Sequence, residues 1–381
     1  MISDGSIVTK WDVLAIKVLL TDNKSVSKAG YSEVDGIRAP DGRPAACTIS
    51  DSFSISWRLQ VEYRRLGGSG VKVSEISLGS WLTYGGSVAE EQATACVSRA
   101  YEIGINFFDT ANVYMRGAAE EIVGRALRDF ERDSYFLATK VYFPMGEGPN
   151  DRGLSRKHIT EQCHASLRRL GVDYVDLYQC HRYDETTPLE ETLRALDDLI
   201  RQGKVLYIGV SEWTADQISD ALRIAKEMNL DRIVSNQPRY NMIQRKIEGE
   251  VIPLCEREGV GQVVFSPLAQ GVLTGKYHPG EAPEEGTRAA DPDNNRFMQQ
   301  LMNEEVLSAV DGLRSVASEA GLSMPQLALS WVLRQEDVSS AIIGASRPEQ
   351  VDDNAAASGV ELSADMISEI DHLLEGVTQF D

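Results

Sequence analysis

Cysteine and long uncharged apolar stretches are both scarce in this sequence. The 381-residue chain has five cysteines, and their wide spacing fits neither a disulfide framework nor a zinc motif, so we expect a reducing, cytoplasmic environment. No uncharged apolar run approaches the roughly 18 residues of a membrane-spanning helix, so we expect no membrane insertion. The most apolar early run, residues 13–20, contains Lys17 and lacks a small-residue cleavage site, so we do not predict a signal peptide.

Basic residues are also scarce. Lys and Arg number 38 against 58 Asp and Glu, a net charge of −20, which argues against nucleic-acid binding. Only 11 of those bases are lysines. Such a surface stays solvated at high salt, which suggests a halophilic source, although GC-rich coding also enriches arginine. With 42% hydrophobic and 25% charged residues, the composition excludes a largely disordered or fibrous chain.

The charge divides the chain near residue 61. Residues 1–60 carry seven acids and seven bases, so the whole excess of negative charge lies in residues 61–381. The first segment also lacks a helical or strand period. We expect residues 1–60 to be either a disordered extension or a mis-assigned start. In the second case Val61 would be the first residue, because a GTG codon can initiate translation in prokaryotes.

After residue 61 one pattern recurs, a short β-branched or aromatic run followed by an amphipathic helical stretch. Thr214 and Ser87 are candidate caps at helix starts. Strand–helix units of about 30 residues predict parallel crossovers, and eight of them predict a closed (β/α)8 TIM barrel. An open doubly wound sheet is the alternative, but Gly79–Gly86 is not its G-x-G-x-x-G turn. The candidate strands begin near Val73, Asn106, Tyr135, Tyr174, Val205, Ile233, Val263 and Ala341.

Two additions to the barrel are expected. The pattern of residues 63–73 predicts a hairpin around Gly67–Gly70, which would plug the floor of the barrel. The segment after the seventh strand holds a polar loop, residues 280–300, and two helices, one starting at Pro325. Long loops at the catalytic end of a barrel often cover ligands.

Titratable side chains stand at consecutive strand ends, where barrel enzymes place their chemistry. A tyrosine hydroxyl, with its ordinary pKa of about 10, is a poor proton donor at neutral pH. A neighbouring lysine would lower that pKa, a carboxylate would hold the lysine charged, and a histidine could orient a carbonyl oxygen. This set predicts general acid catalysis on a carbonyl group. Its members are Asp109, Tyr114, Lys140 and His181.

At these residues the sequence resembles the aldo-keto reductases. The likeness spans about Tyr63 to Leu374 and includes residues 106–111 with Tyr114, and residues 183–211. Residues 237–245 and 266–271 resemble the branch of the potassium-channel beta subunits and their prokaryotic relatives. The resemblance implies NADPH-dependent reduction of small aldehydes or ketones to alcohols. It makes Tyr114 the general acid, Asp109 and Lys140 its tuning pair, and His181 the orienting group.

The resemblance also implies an NADPH-binding groove. Ser211 and Gln237 would hold the nicotinamide amide, and Phe265 would stack on the ring. Lys276 and Arg288 would neutralise the pyrophosphate, although both could be solvated loop charges. The remaining implied positions, from the pyrophosphate to the 2′-phosphate and adenine, are Ser266, Pro267, Leu268, Gly271, Gly344, Ser346, Arg347, Gln350, Asp353 and Asn354. An arginine near a phosphate favours NADP over NAD.

Three positions near the implied groove carry alternatives. Glu212 stands where the family usually has Asn or Arg, so it either weakens cofactor affinity or points away. Trp81 and Tyr84 would be substrate-pocket walls, with packing in the core as the alternative. Cys180 precedes His181, and a buried strand thiol is the simpler interpretation than a nucleophile.

Two functions remain open at this point, with a third disfavoured. An active reductase is favoured by the presence of His181, whereas Glu212 leaves room for an NADPH-binding, redox-sensing accessory subunit of a membrane channel with slow turnover. A flavin or metal barrel is disfavoured because no His/Asp/Glu metal constellation is evident. The branch also implies a homo-oligomer, up to a tetramer, and the sequence does not name the carbonyl substrate.

Overall fold

A computed structural model describes residues 61–81, 84–86, 88–291 and 295–380 of the chain. The expected extension, residues 1–60, and the candidate cap Ser87 lie outside the described residues. Eight parallel strands close into a barrel, which confirms the predicted fold class. The barrel strands are β3 Ile76–Gly79, β4 Phe107–Asp109, β5 Phe136–Val141, β6 Val175–Cys180, β7 Val205–Ser211, β8 Ile233–Gln237, β9 Gly261–Val264 and β10 Val338–Ile343.

The strands follow chain order around the barrel, and β10 closes it by pairing with both β9 and β3. Every residue of β5, β6 and β10 is buried, as expected of parallel strands covered by helices on one side and side chains on the other. Because all strands run the same way, their carboxyl ends share one rim. In that register Lys140 on β5 lies beside Gln179 on β6.

Helices cover the outside of the barrel. The helices are α1 Glu90–Glu102, α2 Ala118–Leu127, α3 Arg156–Leu170, α4 Leu189–Arg201, α5 Ala215–Glu227, α6 Val251–Glu258, α7 Glu304–Ala320, α8 Met324–Leu333, α9 Pro348–Ala355 and α10 Ala364–Leu373. Local chemistry explains their ends. Thr214 and Gln217 form a capping box at the start of α5, and Gly171 closes α3 with φ +68°.

An N-terminal hairpin closes the amino end of the barrel, where the sequence predicted a plug. Strand β1 (Tyr63–Arg65) pairs antiparallel with β2 (Lys72–Ser74). Leu66 is fully buried and packs in one cluster with the barrel residues Phe107 and Phe136. At Gly67, which has φ +53°, a Cβ would lie 2.5 Å from the backbone nitrogen of Gly261, so glycine is required for this close approach.

The predicted start of the first barrel strand needs correction. Val73 lies in the hairpin strand β2, and the barrel strand begins at Ile76. The two strands are separated by Glu75, whose carboxylate accepts hydrogen bonds from Arg64 (2.6 Å) and Ser358 (2.8 Å). The sequence pattern runs the two strands together because apolar residues, Val73 and Ile76, lie on both sides of a break that is a single residue.

The segment between β9 and β10 contains the expected loop and helix pair. Short 3-10 turns at Ala269–Thr274, Arg288–Ala290, Asn295–Phe297 and Gln299–Leu301 precede α7 and α8. Helix α8 begins at Met324, one residue before the predicted start, because Ser323 forms a capping box with Gln326. Within the described residues, none of the helices combines the length and the hydropathy needed to span a membrane.

Candidate active site

The four candidate catalytic residues meet at one point of the carboxyl rim. Asp109 ends β4, Lys140 lies in β5, and His181 directly follows β6, so adjacent strands deliver all three. Tyr114 follows on a 3-10 turn, Tyr114–Gly117. The geometry places these side chains together, and the role of each remains a prediction.

Lys140 is fully buried at the centre of the group. Its Nζ donates to Asp109 Oδ1 (2.5 Å), to the Thr110 carbonyl oxygen (2.9 Å) and to the Tyr114 hydroxyl (3.3 Å). Burial lowers the pKa of Lys140, but Asp109 and Tyr114 outweigh it and the net pKa is raised. Lys140 therefore stays an ammonium at neutral pH, held by an ion pair shielded from water.

Tyr114 receives a hydrogen bond and keeps its own proton. Because Lys140 donates to the hydroxyl oxygen, the phenolic hydrogen is left to point elsewhere. Burial raises the pKa of Tyr114 by more than the charge of Lys140 lowers it, so the net pKa is raised. This differs from the expected lowering, since desolvation disfavours the phenolate even beside a cation.

The turn that carries Tyr114 is strained. Met115 (φ +46°) and Arg116 (φ +55°) are consecutive non-glycine residues in the left-handed region, followed by Gly117 at φ +98°. Such conformations cost about 1–3 kcal/mol each and persist where the surroundings over-determine them. Glu120, fully buried at the start of α2, anchors the turn by accepting from Thr139 (2.6 Å) on β5 and from Arg169 (2.6 Å) on α3.

His181 lies between two aromatic rings with one nitrogen unpartnered. Its ring centroid is 5.6 Å from that of Tyr114 and 4.9 Å from that of Phe143. The buried Nδ1 has no hydrogen-bond partner among the described residues. Burial, followed by the charges of Lys140 and Arg182, holds the pKa of His181 well below its usual range, so the imidazole is neutral at pH 7.

Two glutamines complete the surroundings of the Asp109 carboxylate. Gln237 Nε2 donates to Asp109 Oδ2 (2.9 Å), and Gln179 Nε2 approaches the same oxygen at 3.4 Å. Ser211 Oγ donates to the Gln237 carbonyl oxygen (2.9 Å), so two of the predicted nicotinamide contacts adjoin the catalytic group. Sequence reasoning missed Gln179, although an amide in a buried strand two residues before His181 was an available signal.

The turn after β9, predicted to follow the pyrophosphate, also has an unusual backbone. Ser266, Ala269 and Gln270 have positive φ, and Gly271 has φ +99°. Gln270, which sequence reasoning missed, donates to Ser266 Oγ and accepts from Arg288 Nη1 (2.6 Å). These bonds connect the long loop to the turn, as a cover over a ligand would require.

Three of the predicted cofactor residues form a cluster of positive charge. Burial lowers the pKa of Lys276, and the charges of Arg288 and Arg347 lower it further, so both arginines repel Lys276. In the described part of the chain, neither Lys276 nor Arg347 forms a salt bridge. Arg347 also stands at the N-cap of α9, where backbone N–H groups favour an anion. The cluster therefore suits phosphate groups.

The predicted adenine contacts differ in their surroundings. Gln350 Oε1 accepts from the Ser346 backbone nitrogen (2.8 Å), and Asn354 is buried. The Asp353 carboxylate accepts from Ser323 (3.0 Å) and Gln326 (2.7 Å), which ties α9 to the start of α8. Its adenine role stays a prediction beside this packing role. Gly344 and Ser346 are exposed at the end of β10, whereas Pro267 is buried and Leu268 is partly buried.

Glu212 contacts the loop that follows β8. Its Oε1 accepts from the Arg239 backbone nitrogen (2.6 Å), and its φ is +58°. This contact favours the alternative in which the carboxylate points away from the cofactor. Arg239 in turn holds its guanidinium 5.6 Å from the ring centroid of Phe265, the predicted stacking residue.

The two residues predicted to line the substrate pocket have different surroundings. Trp81 packs edge-on against Phe297 of the long loop at 4.9 Å between ring centroids, so this contact joins two loops of the barrel. Tyr84 is 1% exposed within the main core, which favours its packing alternative. Cys180 is buried as well, and burial raises the pKa of its thiol to about 12, which disfavours a thiolate nucleophile.

Comparison with known proteins agrees with this geometry. The sequence model of the Aldo/keto reductase family matches residues 75–375. A protein of Oryza sativa subsp. japonica and one of Arabidopsis thaliana, each named "Probable voltage-gated potassium channel subunit beta", are both 43% identical to the chain over 303 residues. Each alignment covers 79% of this chain and 92% of the relative. The chain therefore belongs to the aldo/keto reductase family of oxidoreductases, and is similar to the branch named for channel beta subunits.

Proposed function

We propose that the protein reduces small aldehydes or ketones to alcohols with NADPH, and that Tyr114 is the general acid. The observation that carries the proposal is the hydrogen bond from Lys140 Nζ to the Tyr114 hydroxyl, with Lys140 itself held by Asp109. A carbonyl oxygen placed near Tyr114 would accept the phenolic proton. General acid assistance of this kind contributes about 10² to 10⁴ in rate.

Lys140 makes that proton transfer feasible. The raised pKa of Tyr114 keeps its hydroxyl protonated at neutral pH. As the proton is transferred, the adjacent Lys140 ammonium stabilises the phenolate that forms. His181, which is neutral at pH 7, would orient the carbonyl group. Being neutral, it does not compete with Tyr114 as the proton donor.

The residues of the groove fit a phosphorylated dinucleotide. Ser211 and Gln237 adjoin the catalytic group and would hold the nicotinamide end, which when bound supplies the hydride. The strained turn at Ser266–Gly271 and the repelling cations would hold the phosphates. Arg347, with no salt bridge among the described residues, would contact the 2′-phosphate that distinguishes NADP from NAD.

A second candidate, a redox-sensing accessory subunit of a membrane channel, is favoured by the names of the relatives. Both functions share the groove and differ in turnover. In the accessory role NADPH would bind tightly and be consumed slowly, and the partner would be a channel protein.

The test is NADPH oxidation by the purified protein with methylglyoxal and other short aldehydes, beside Tyr114→Phe. We expect turnover in the natural protein and a loss of about 10² to 10⁴ in kcat for the variant, because the acid is removed and the ring kept. Tyr142→Phe, a partly buried tyrosine two residues beyond Lys140, is the matched control and should retain its activity. Tight NADPH binding with negligible turnover in all three proteins would contradict the reductase and favour the accessory role.

A further inference from the structure

Arg182 borders the space that the substrate would occupy. It directly follows His181, and its Nη1 donates to the His181 carbonyl oxygen (2.5 Å). Its guanidinium lies 5.6 Å from the ring centroid of Phe143, the ring that also packs against His181. Its positive charge lowers the pKa of both Tyr114 and His181, so the charge is within electrostatic reach of the proton donor.

The charge of Arg182 is uncompensated. Among the described residues Arg182 forms no salt bridge, although acids outnumber bases by 58 to 38 in the chain. The acid nearest in sequence, Asp184, is committed elsewhere, since its Oδ2 accepts from the Leu154 backbone nitrogen (2.7 Å) and Thr187 (2.7 Å). Lys140, by contrast, is matched by Asp109. Of these two cations in the described structure, Lys140 is therefore paired with a carboxylate and Arg182 is not.

A purely structural role explains only part of this arrangement. The bond to the His181 carbonyl oxygen uses one of the five N–H donors of the guanidinium. The contact with the face of the Phe143 ring is not a hydrogen bond to an oxygen or nitrogen. A half-buried guanidinium with free donors is a costly choice for a backbone contact alone. It is a suitable choice for binding a carboxylate, whose two oxygens match its paired donors.

We propose that the substrate is an oxo acid, a carbonyl compound whose carboxylate is bound by Arg182 while its carbonyl oxygen faces Tyr114 and His181. This inference rests on the proposed function. The carbonyl carbon gains the hydride, its oxygen gains the Tyr114 proton, and the nicotinamide dinucleotide is oxidised. The carboxylate is unchanged, so the product is a hydroxy acid.

The test uses pairs of substrates that differ in charge. We would measure kcat/KM for 4-oxobutanoate against butanal and for 4-carboxybenzaldehyde against benzaldehyde, in the natural protein, Arg182→Met and Arg182→Lys. The control is Arg128→Met, which removes an arginine whose side chain is 73% exposed.

We expect the natural protein to prefer the carboxylate member of at least one pair. Arg182→Met should lower that preference about ten- to a hundredfold, mainly through KM, as expected for the loss of a charged hydrogen bond. Arg182→Lys should keep part of the preference because the charge remains. The loss in kcat/KM for the neutral member of each pair should be at least tenfold smaller than the loss for the carboxylate member, because removing Arg182 affects Tyr114 for both members alike.

Three results would overturn the proposal: no preference in the natural protein, an equal loss for both members of each pair in Arg182→Met, or a loss of preference in the control. If no aldehyde is turned over, the proposed reductase function is rejected. The carboxylate site at Arg182 is then tested by succinate binding. The dissociation constant of succinate, followed by NADPH fluorescence, should then rise at least tenfold in Arg182→Met and stay constant in Arg128→Met. An unchanged constant would reject the carboxylate site.

Discussion

Lys140 is charged and His181 is neutral, although both belong to the same candidate site. Both are buried, and burial favours the neutral form of each. Lys140 remains charged because Asp109 lies 2.5 Å away, whereas the charges of Lys140 and Arg182 add to the effect of burial on His181. One residue therefore stabilises charge on Tyr114 while the other offers a neutral hydrogen-bonding group.

The depressed pKa of His181 makes stability sensitive to acid. The folded pKa lies below the unfolded value of about 6.5, so this contribution is fully present above pH 6.5 and is lost as the pH falls toward the folded pKa. We expect His181→Asn to flatten the fall in unfolding free energy below pH 6.5, by at most about 1.4 kcal/mol per pH unit for one proton.

Urea unfolding at a series of pH values measures this effect. His372→Asn is the matched control, since that side chain is 82% exposed, and its pH profile should overlay that of the natural protein. Parallel slopes for His181→Asn and the natural protein would show that the imidazole is not desolvated in the folded state.

At the scale of elements, the turn between β4 and α2 holds two consecutive non-glycine residues, Met115 and Arg116, in the left-handed region. Glu120, three residues after the turn, is fixed by hydrogen bonds from Thr139 on β5 and Arg169 on α3. Gly117 ends the turn with φ +98°, and a Cβ there would lie 2.6 Å from Arg169 Cδ. The turn thus couples the position of Tyr114 to the contact between α2 and α3.

We expect Gly117→Ala to destabilise the protein and to lower kcat. The left-handed conformation costs an alanine about 1 kcal/mol, and displacement of Arg169 adds to it, for a total of about 1–3 kcal/mol. Thermal unfolding and aldehyde reduction would measure the two effects.

Gly321→Ala separates the two causes. Gly321 has a similar left-handed conformation, φ +67°, but a Cβ at this position would meet no described atom within 4 Å, so the substitution carries the backbone cost alone. We expect it to cost about 1 kcal/mol and to leave kcat unchanged. Equal effects of the two substitutions on kcat would show that the turn does not position Tyr114.

At the scale of the whole molecule, the net charge of −20 opposes compaction. Raising the salt concentration from about 10 mM to about 1 M shortens the screening length from about 30 Å to about 3 Å. We therefore expect the unfolding temperature to rise over this range, as measured by calorimetry. Sucrose at matched osmolality is the control, because it stabilises without screening, and it should produce a smaller rise at low salt.

A salt-independent or falling unfolding temperature would contradict repulsion as a destabilising term. A halophilic source for the acidic composition also predicts that the activity of the protein persists at molar salt. Activity that collapses as salt rises would leave GC-rich coding as the explanation for the arginine content.

Local pattern was sufficient for the barrel and for the meeting of Asp109, Lys140 and His181. Regular strand–helix units of about 30 residues allow one closed parallel arrangement, and parallel strands bring their carboxyl ends to one rim, so position along the chain translates directly into position in the site. The resemblance to the family supplied the predicted cofactor positions.

Packing in three dimensions was needed for the rest. The net shift of the Tyr114 pKa depends on a balance between desolvation and the charge of Lys140, and the orientation of Glu212 depends on the backbone nitrogen of Arg239. The lack of a salt bridge at Arg182 among the described residues depends on which acids have other partners. Burial and pairing are properties of neighbours distant in the chain, and a sequence read residue by residue does not contain them.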